Sequence, residues 1–154
     1  MNNEVLNAGA DPMGAAIYDY HFNGSADTLI VHSSMFEDDE IPVPDLFRRY
    51  EDMPYLEQIA LEEAGGRILD VGAGSGCHSI ALSELGKEAV AVDISPLSVE
   101  VMCDRGVDAR QINLYDESFT EKFDTVLMLM NGTGIIGTLE NMPAFFRRIR
   151  ELLA

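Results

Sequence analysis

The sequence predicts an α/β fold in which helices cover both faces of a parallel sheet, giving three layers, α/β/α. From about residue 67 to the end of the chain, short apolar runs alternate with helix-like segments. Such alternation is typical of parallel strands connected by crossover helices. The stretch GAGSG at residues 72–76 directly follows the first apolar run. Glycine-rich turns of this kind commonly lead from the first strand into the first helix of these folds.

The composition indicates one soluble globular domain. With 154 residues, 47% of them hydrophobic, the chain is long enough for one core and short for two ordinary domains. Its formal net charge of −17 would repel nucleic acid and an anionic membrane surface, so neither is an expected partner. Two distant cysteines, no signal peptide and no membrane-spanning run predict a reduced, cytoplasmic protein. No metal-ligand spacing is present, and no metal is expected.

Residues 1–43 are predicted to form a cap on the substrate side of a main domain that spans residues 44–154. Within the cap, AAIYDY is expected to form a turn or two of helix and TLIVHSS a short strand. The acidic, proline-punctuated stretch MFEDDEIPVP is expected to be irregular. From Pro44 onwards, apolar residues at helical spacing predict a helix that Pro54 should divide into two pieces.

Four strands are expected in the main domain. RILDV, KEAVAVDIS, VDARQINL and FDTVLMLM supply them in chain order. Between them, CHSIALSELG should form a helix closed by Gly86, and Ser95 with Pro96 should begin another over PLSVEVMCDRG. YDESFTEK is a polar connection, NGTGIIGT a turn, and ENMPAFFRRIRELLA a last helix.

The loop that contains Gly72, Gly74 and Gly76 is predicted to bind a ligand. Glycine permits positive φ and a close approach of the backbone, and the helix that follows offers free N–H groups to an anion. The dinucleotide fingerprint GxGxxG would need glycine at position 77, where the chain has Cys77. A nicotinamide dinucleotide therefore fits the spacing less well but remains an alternative.

Asp70 favours S-adenosylmethionine as the ligand, and Asp93 supports a ligand that contains a ribose. Asp70, just before the glycines, would repel a pyrophosphate, but it could hold the ammonium of the methionine end directly or through water. The carboxylate of that end would meet the N–H groups of residues 74–76. Asp93, at the end of the second strand, lies about 20 residues after the first glycine, where an acid can accept ribose hydroxyls. Both ligand classes contain a ribose, so Asp93 does not separate them.

From about Arg67 to the C-terminus, the chain resembles the class I, Rossmann-like S-adenosylmethionine-dependent methyltransferases. The resemblance is carried by LDVGAGSG, AVDIS, INLYD and FDTVLMLMN, in that order. It implies a sheet in strand order 3-2-1-4. It also implies a set of cofactor-binding residues: Asp70, Gly72, Ala73, Gly74, Gly76, Asp93, Ile94, Asn113, Leu114 and Asn131. Asn113 stands where many members have an aspartate near the adenine amine, and its carbonyl oxygen can still accept from that amine.

The resemblance implies methyl transfer to a nucleophile, which we expect to be a small molecule. The sequence NGTG after the fourth strand lacks the Asn-Pro-Pro-aromatic signature of the nucleic-acid base methyltransferases. Since the sulfonium is already activated, alignment of nucleophile and methyl group would supply most of the rate. The catalytic base, if one is needed, is not assigned. Side chains considered as bases, substrate contacts or a cover, each with a structural role favoured, are Tyr18, His21, His32, Tyr50 and His78.

Members of this family have seven strands, and strands five to seven would follow the last helix predicted here. The fourth strand is therefore expected at a sheet edge, where unpaired N–H and C=O groups promote pairing. We predict that the chain forms a homo-oligomer through this edge or covers it with the N-terminal segment. A nicotinamide-dependent oxidoreductase and a non-catalytic nucleoside-binding or dimerisation module remain alternatives to a methyltransferase.

Overall fold

The computed structural model describes residues 4–130 and 132–154. The helices in these ranges are α1 (Pro12–Asn23), α2 (Tyr55–Glu63), α3 (Cys77–Glu84), α4 (Pro96–Asp104) and α5 (Met142–Leu152). The strands are β1 (Leu29–Val31), β2 (Asp39–Ile41), β3 (Ile68–Val71), β4 (Ala89–Asp93), β5 (Ala109–Gln111) and β6 (Thr125–Leu127). No helix of these ranges has both the length and the apolarity needed to cross a membrane.

Strands β3 to β6 form one parallel sheet in the order β5-β4-β3-β6. Counted from β3 as the first strand, this is the predicted order 3-2-1-4, which is confirmed. All four residues of β3 are buried, because this strand has a neighbour on each side and helices above and below. Parallel strands bring their carboxyl ends to the same edge of a sheet, so the loops after Val71 and Asp93 lie side by side.

Helices cover both faces of this sheet, which confirms the predicted three-layer α/β/α arrangement. On one face, β3 and β4 pack with Phe145 and Leu152 of α5. On the other face, β3 packs with Leu61 of α2 and Leu82 of α3, and Met102 of α4 packs beneath β4. Each of these side chains is almost fully removed from water, which stabilises the fold by about 1.5–3 kcal/mol for each large apolar side chain.

The N-terminal segment is more regular than the sequence predicts. α1 extends over 12 residues, well beyond the one or two turns expected for AAIYDY, and packs against α4. β1 confirms the predicted short strand. It pairs antiparallel with β2, which lies in the acidic stretch that was expected to be irregular, so that expectation is wrong. Pairing across the hairpin supplies backbone hydrogen bonds that composition alone does not reveal.

The first helical piece predicted after Pro44 is not an α-helix. Val43–Phe47 and Tyr50–Asp52 form separate 3₁₀ helices, because the backbone at Arg48 is extended, with φ −58° and ψ 150°. This conformation accompanies a pair of hydrogen bonds, each 2.5 Å long, from Arg48 Nη2 to the two carboxylate oxygens of Glu57. The predicted first helical piece is therefore wrong, and only the second piece, α2, follows the prediction.

β6 lies at the edge of the described sheet, as predicted, although it is shorter than FDTVLMLM suggests. Within the described residues no strand of the N-terminal segment pairs with this edge, since β1 and β2 form a separate two-stranded sheet. Near the start of the edge, Phe123 forms a parallel bridge with Leu153. Self-association through β6 stays a prediction.

Candidate functional site

A cavity of about 630 Å³ lies at the carboxyl ends of β3, β4 and β5. This volume is within the range of small-molecule sites, which typically combine apolar walls with a few polar groups. Predicted site residues that line it are Gly72, Asp93, Ile94, Asn113 and Leu114. The apolar part of its wall includes Val71, Val92, Ile112, Tyr115 and Ile135. The structure thus brings half of the predicted set together around one cavity.

The three glycines of the loop after β3 all have positive φ, between 57° and 80°, a conformation that side-chain-bearing residues rarely adopt. At Gly72 an added Cβ would project towards Ile135, whose Cδ1 would lie 3.5 Å away, so glycine leaves this part of the cavity open. At Gly76 a Cβ would come within 2.9 Å of Met102 Cγ. Gly76 therefore allows α4 to pack closely against the loop.

Three predicted loop residues do not line the cavity in the described structure: Ala73, Gly74 and Gly76. Ala73 is buried and packs with Met102 in the core under α4. Gly74 lies beneath Ile17 of α1, whose Cδ1 is 3.7 Å from the position that a Cβ would occupy. In this arrangement α1 and α4 cover the far side of the glycine loop.

The Asp93 carboxylate connects the glycine loop to the loop after β4. Its Oδ2 accepts the Gly74 N–H at 2.9 Å, and its Oδ1 accepts the Ser95 N–H at 2.9 Å. Burial raises the pKa of Asp93, while these two backbone hydrogen bonds oppose the rise. Each carboxylate oxygen has a second lone pair, so the group retains acceptor capacity towards the cavity, as a ribose site requires.

The outer wall of the cavity is formed by residues 4–7, which we call the N-terminal strap. The Leu6 N–H donates to the Ile94 carbonyl at 3.0 Å. The side-chain amide of Gln111 donates to the carbonyls of both Leu6 (3.1 Å) and Ile94 (3.2 Å). The Asn113 amide donates to the Glu4 carbonyl at 2.6 Å. The contacts to the strap itself join residues more than 80 positions apart, so sequence periodicity carried no signal for them.

Asn113 is held from two sides at the cavity wall. Its Nδ2 donates to the strap at Glu4, and its Oδ1 accepts the Tyr115 N–H at 3.0 Å. The acceptor role towards an adenine amine stays a prediction for this residue. Leu114, next in the chain, is 3% exposed, and its carbonyl accepts a hydrogen bond from Arg148 of α5.

Asp70 does not reach the cavity. Its side chain is 1% exposed, and Oδ2 accepts the Ser79 hydroxyl at 2.7 Å. Burial raises the pKa of Asp70, while the positive His78 and the bond from Ser79 act against the rise. The carboxylate points towards α3 instead of the loop surface. This placement does not support the predicted direct contact with a ligand ammonium, and contact through water stays a prediction.

A chain of charges formed by Arg48, Glu57 and His78 connects the segment before α2 with α2 and α3, and it is half-buried at Arg48 and Glu57 and buried at His78. Glu57 accepts hydrogen bonds from Arg48 and, at 2.9 Å, from His78 Nε2. Burial opposes the charged form of His78, but the neighbouring Cys77 and Glu57 raise its pKa to about 9. At neutral pH His78 is therefore an ion-paired cation and is not placed to act as a base.

The other candidate side chains also have structural partners. Tyr50 donates to Glu62 at 2.5 Å, His21 bonds to Asp104 at 2.7 Å, and His32 bonds to Asp38 at 2.8 Å. Tyr18 makes a tilted ring contact with Phe22 on α1. None of these side chains lines the cavity in the described part of the chain. Asn131 lies outside the described residues, and its neighbour Gly132 lines the cavity.

A second cavity, of about 560 Å³, lies at the amino ends of the strands, opposite the first cavity. Arg67, Glu88 and Asp108, each just before a strand, contribute to its wall. It contains none of the predicted cofactor-binding residues. Its lining side chains carry charges of both signs, so its electrostatics favour no single class of ligand.

The sequence of this chain is similar to those of known methyltransferases. The family model described as "Methyltransferase domain" matches residues 68–154. The cypemycin N-terminal methyltransferase of a Streptomyces species is 36% identical over 93 residues, which cover 58% of this chain and 38% of the relative. The ribosomal protein L11 methyltransferase of Citrifermentans bemidjiense is 53% identical over 51 residues, covering 30% of this chain and 17% of the relative.

A solved structure gives a much closer match. It is a SAM-dependent methyltransferase from Bacteroides fragilis in complex with S-adenosyl-L-homocysteine, 63% identical in sequence, with a TM-score of 0.95. The alignment covers 100% of this chain and 65% of that one. The chain thus spans just under two thirds of that structure and 38% or less of the two curated relatives.

Proposed function

Because the chain belongs to the methyltransferase domain family, we propose that it is the S-adenosylmethionine-binding portion of a methyltransferase that acts on a small-molecule nucleophile. The observation that carries this proposal is the cavity at the ends of β3, β4 and β5, where Gly72, Asp93 and Asn113 share one wall. The B. fragilis relative, which matches over the whole of this chain, is in complex with S-adenosylhomocysteine.

The residues of the cavity fit the nucleoside part of this cofactor. The Asp93 carboxylate, which is half-buried at the cavity wall, would accept hydrogen bonds from the ribose hydroxyls. Ile94 offers apolar surface for the purine, and the backbone at Leu114 would be the adenine contact beside Asn113, which offers a carbonyl oxygen to the purine amine. The glycine at position 72 leaves room for close approach at the cavity floor. A site for a nucleoside combines apolar surface for the flat base with a few fixed hydrogen-bond acceptors for its polar groups.

The methionine end would lie towards the glycine loop, in contact with residues 72–76. Asp70 would act there through water, since its side chain is turned towards Ser79. Asn131 is proposed at the transfer site on the basis of the family resemblance alone.

The chemistry requires binding and alignment more than it requires a protein base. The sulfonium of the bound cofactor supplies an already activated methyl group. The chain's own residues would hold the nucleoside and exclude water, with the N-terminal strap and Ile135 as the outer wall. Orientation of this kind contributes much of the rate in transfer reactions. No base is assigned.

A small-molecule acceptor is supported by charge. The net charge of −17 disfavours nucleic acid and anionic membrane surfaces. The names of the curated relatives refer to different acceptors, cypemycin and ribosomal protein L11, so the acceptor of this chain is not taken from either. Cytoplasmic location and self-association through the β6 edge are further parts of the proposal, the latter supported by the open edge of the sheet.

The proposal is tested by calorimetric titration of the chain with S-adenosylmethionine, S-adenosylhomocysteine and NAD. We expect both sulfur compounds to bind and NAD not to bind. The relatives described above are all methyltransferases and give no support to the oxidoreductase alternative. Binding of NAD alone would nevertheless contradict the proposal. Binding of none of the three would favour a non-catalytic module.

A further inference from the structure

Arg148 places a charged side chain on the apolar face of α5. Phe145 and Leu152, one helical turn before and after it, are both buried in the core beneath the sheet, and Arg148 itself is 8% exposed. Its ion-pair partner, Glu151, is 3.4 Å away and 56% exposed, so this pair compensates little of the cost of burial. A buried charge needs other polar contacts.

Those contacts come from the loop after β5, residues 112–119. Arg148 Nε donates to the Leu114 carbonyl at 2.7 Å. Its Nη2 donates to the carbonyls of Asp116 at 2.8 Å and Phe119 at 2.6 Å. The planar guanidinium fixes the directions of these donors. One side chain thus holds three carbonyls of the loop in a defined arrangement.

The loop satisfies several of its N–H groups internally. The Asp116 N–H donates to the Asn113 carbonyl, the Phe119 N–H to the Asp116 carbonyl, and the Tyr115 N–H to Asn113 Oδ1. After Ile112, whose N–H donates to the Asp93 carbonyl of β4, the loop is built from turns, and its carbonyls at Leu114, Asp116 and Phe119 accept a donor from outside the loop. Arg148 is the donor that α5 brings to them.

We propose that Arg148 is a positioning residue for the nucleobase wall of the cavity. It acts through Leu114, which together with Asn113 and Tyr115 lines that wall. A rigid wall keeps the side-chain oxygen of Asn113, Oδ1, at one position. There it would accept a hydrogen bond from the amino group of adenine and repel the carbonyl oxygen of hypoxanthine. Arg148 thereby contributes to selectivity for adenine over hypoxanthine, since a fixed hydrogen-bonding site rejects a mismatched base most strongly. This inference rests on the proposed function.

The variant Arg148→Lys tests the proposal. Lysine keeps the charge and most of the aliphatic stem, but it offers a single point donor and cannot reproduce the three-carbonyl fork. Affinities for S-adenosylhomocysteine and S-inosylhomocysteine are measured by calorimetry for the wild type, for this variant, and for Arg147→Lys. Arg147 is an exposed neighbour on the same helix and supplies the matched control.

We expect the wild type and Arg147→Lys to prefer the adenine compound equally. In Arg148→Lys, affinity for S-adenosylhomocysteine should fall about tenfold, the effect of misplacing one hydrogen bond, while affinity for the inosine compound changes little. A folded variant that loses affinity for both ligands equally, or for neither, would overturn the proposal, because a purely stabilising residue does not change base selectivity.

A measurement on the wild type decides the question if Arg148→Lys does not fold. The Nε–H of Arg148 is buried against the Leu114 carbonyl, so its NMR resonance should shift when S-adenosylhomocysteine binds and shift less with the inosine compound. A resonance that both ligands leave unchanged would overturn the proposal. If the wild type binds no S-adenosylhomocysteine at all, the proposed function fails, and this inference fails with it.

Discussion

The Asp93 carboxylate accepts the Gly74 amide at 2.9 Å, so the end of β4 holds the glycine loop that follows β3. The same carboxylate accepts the Ser95 amide at the start of α4. One acid therefore fixes the relative positions of two loops whose neighbouring residues, Gly72 and Ile94, face the cavity. The proposed role of Asp93 in binding ribose and its role in shaping the site therefore depend on the same carboxylate.

Asp93→Asn should weaken binding of S-adenosylhomocysteine roughly tenfold to a hundredfold. The substitution preserves volume but replaces one acceptor oxygen by an NH₂ group, which cannot accept from both a backbone amide and a ribose hydroxyl. Isothermal calorimetry measures the change, and the exposed Asp27→Asn serves as control. Unchanged affinity in Asp93→Asn would remove Asp93 from the proposed site.

Gly14→Ala should destabilise the chain by about 1–3 kcal/mol. Asp11 caps α1 by accepting the Gly14 N–H at 2.8 Å, and its other oxygen accepts the hydroxyl of Ser95, the cap of α4, at 2.5 Å. A Cβ on Gly14 would overlap Asp11 Oδ2 and Ser95 Oγ, the two atoms of this second hydrogen bond. Urea unfolding measures the loss. Gly65→Ala, where an added Cβ meets nothing, should change stability by less than this, and equal effects would contradict the account of the two linked caps.

Stability should decrease as the pH rises through about 9. The folded-state pKa of His78 is raised to about 9, above the usual value of about 6.5. The ion pair of protonated His78 therefore contributes fully to the free energy of unfolding below pH 6.5, and this contribution is lost as His78 deprotonates in the folded state. We expect a total loss of about 3 kcal/mol once His78 is deprotonated in the folded state, measured by urea unfolding at several pH values. His78→Gln should abolish this dependence, whereas His32→Gln, at an exposed histidine, should leave it intact. A pH profile that is the same in wild type and His78→Gln would contradict the ion-pair account.

Gln111→Ala should accelerate release of S-adenosylhomocysteine several-fold. The Gln111 amide holds the strap carbonyl of Leu6 and the carbonyl of Ile94 together at the cavity mouth, and loss of such hydrogen bonds costs about 1 kcal/mol. Stopped-flow displacement measures the dissociation rate. Gln58→Ala removes a comparable amide bond to the Met53 carbonyl at residues that do not line the cavity, and it should have no effect. Equal rates in wild type and Gln111→Ala would show that the strap does not retain the ligand.

The main sheet and the glycine loop were predictable because their signals are local. An apolar run followed by glycines and a helical segment predicts a strand-turn-helix unit, and β3 and its glycine loop follow that pattern. Asp93 ends the next apolar run, so its position at the same edge of the sheet was also predictable. The Asn113 and Leu114 positions followed from the family resemblance, and the structure places both at the cavity wall.

The parts that were not predictable depend on contacts between distant residues. The Gln111 side chain donates to the Leu6 carbonyl, more than 100 positions away in the sequence. Arg48 has an extended backbone within the predicted helical segment and pairs with Glu57. Arg148 did leave a local signal, since it interrupts the apolar spacing between Phe145 and Leu152. A charge at such a position indicates a buried polar partner, but the sequence does not identify the Leu114 carbonyl as that partner.

The central claim is that the cavity between the glycine loop and the N-terminal strap binds the nucleoside of S-adenosylmethionine. Backbone amide shift mapping with S-adenosylhomocysteine tests it most directly. The account predicts the largest shifts at Gly72, Ile94 and Leu114, with residues of the second cavity such as Gly106 unaffected. Shifts centred on the second cavity, or none at any of these residues at saturating ligand, would contradict it.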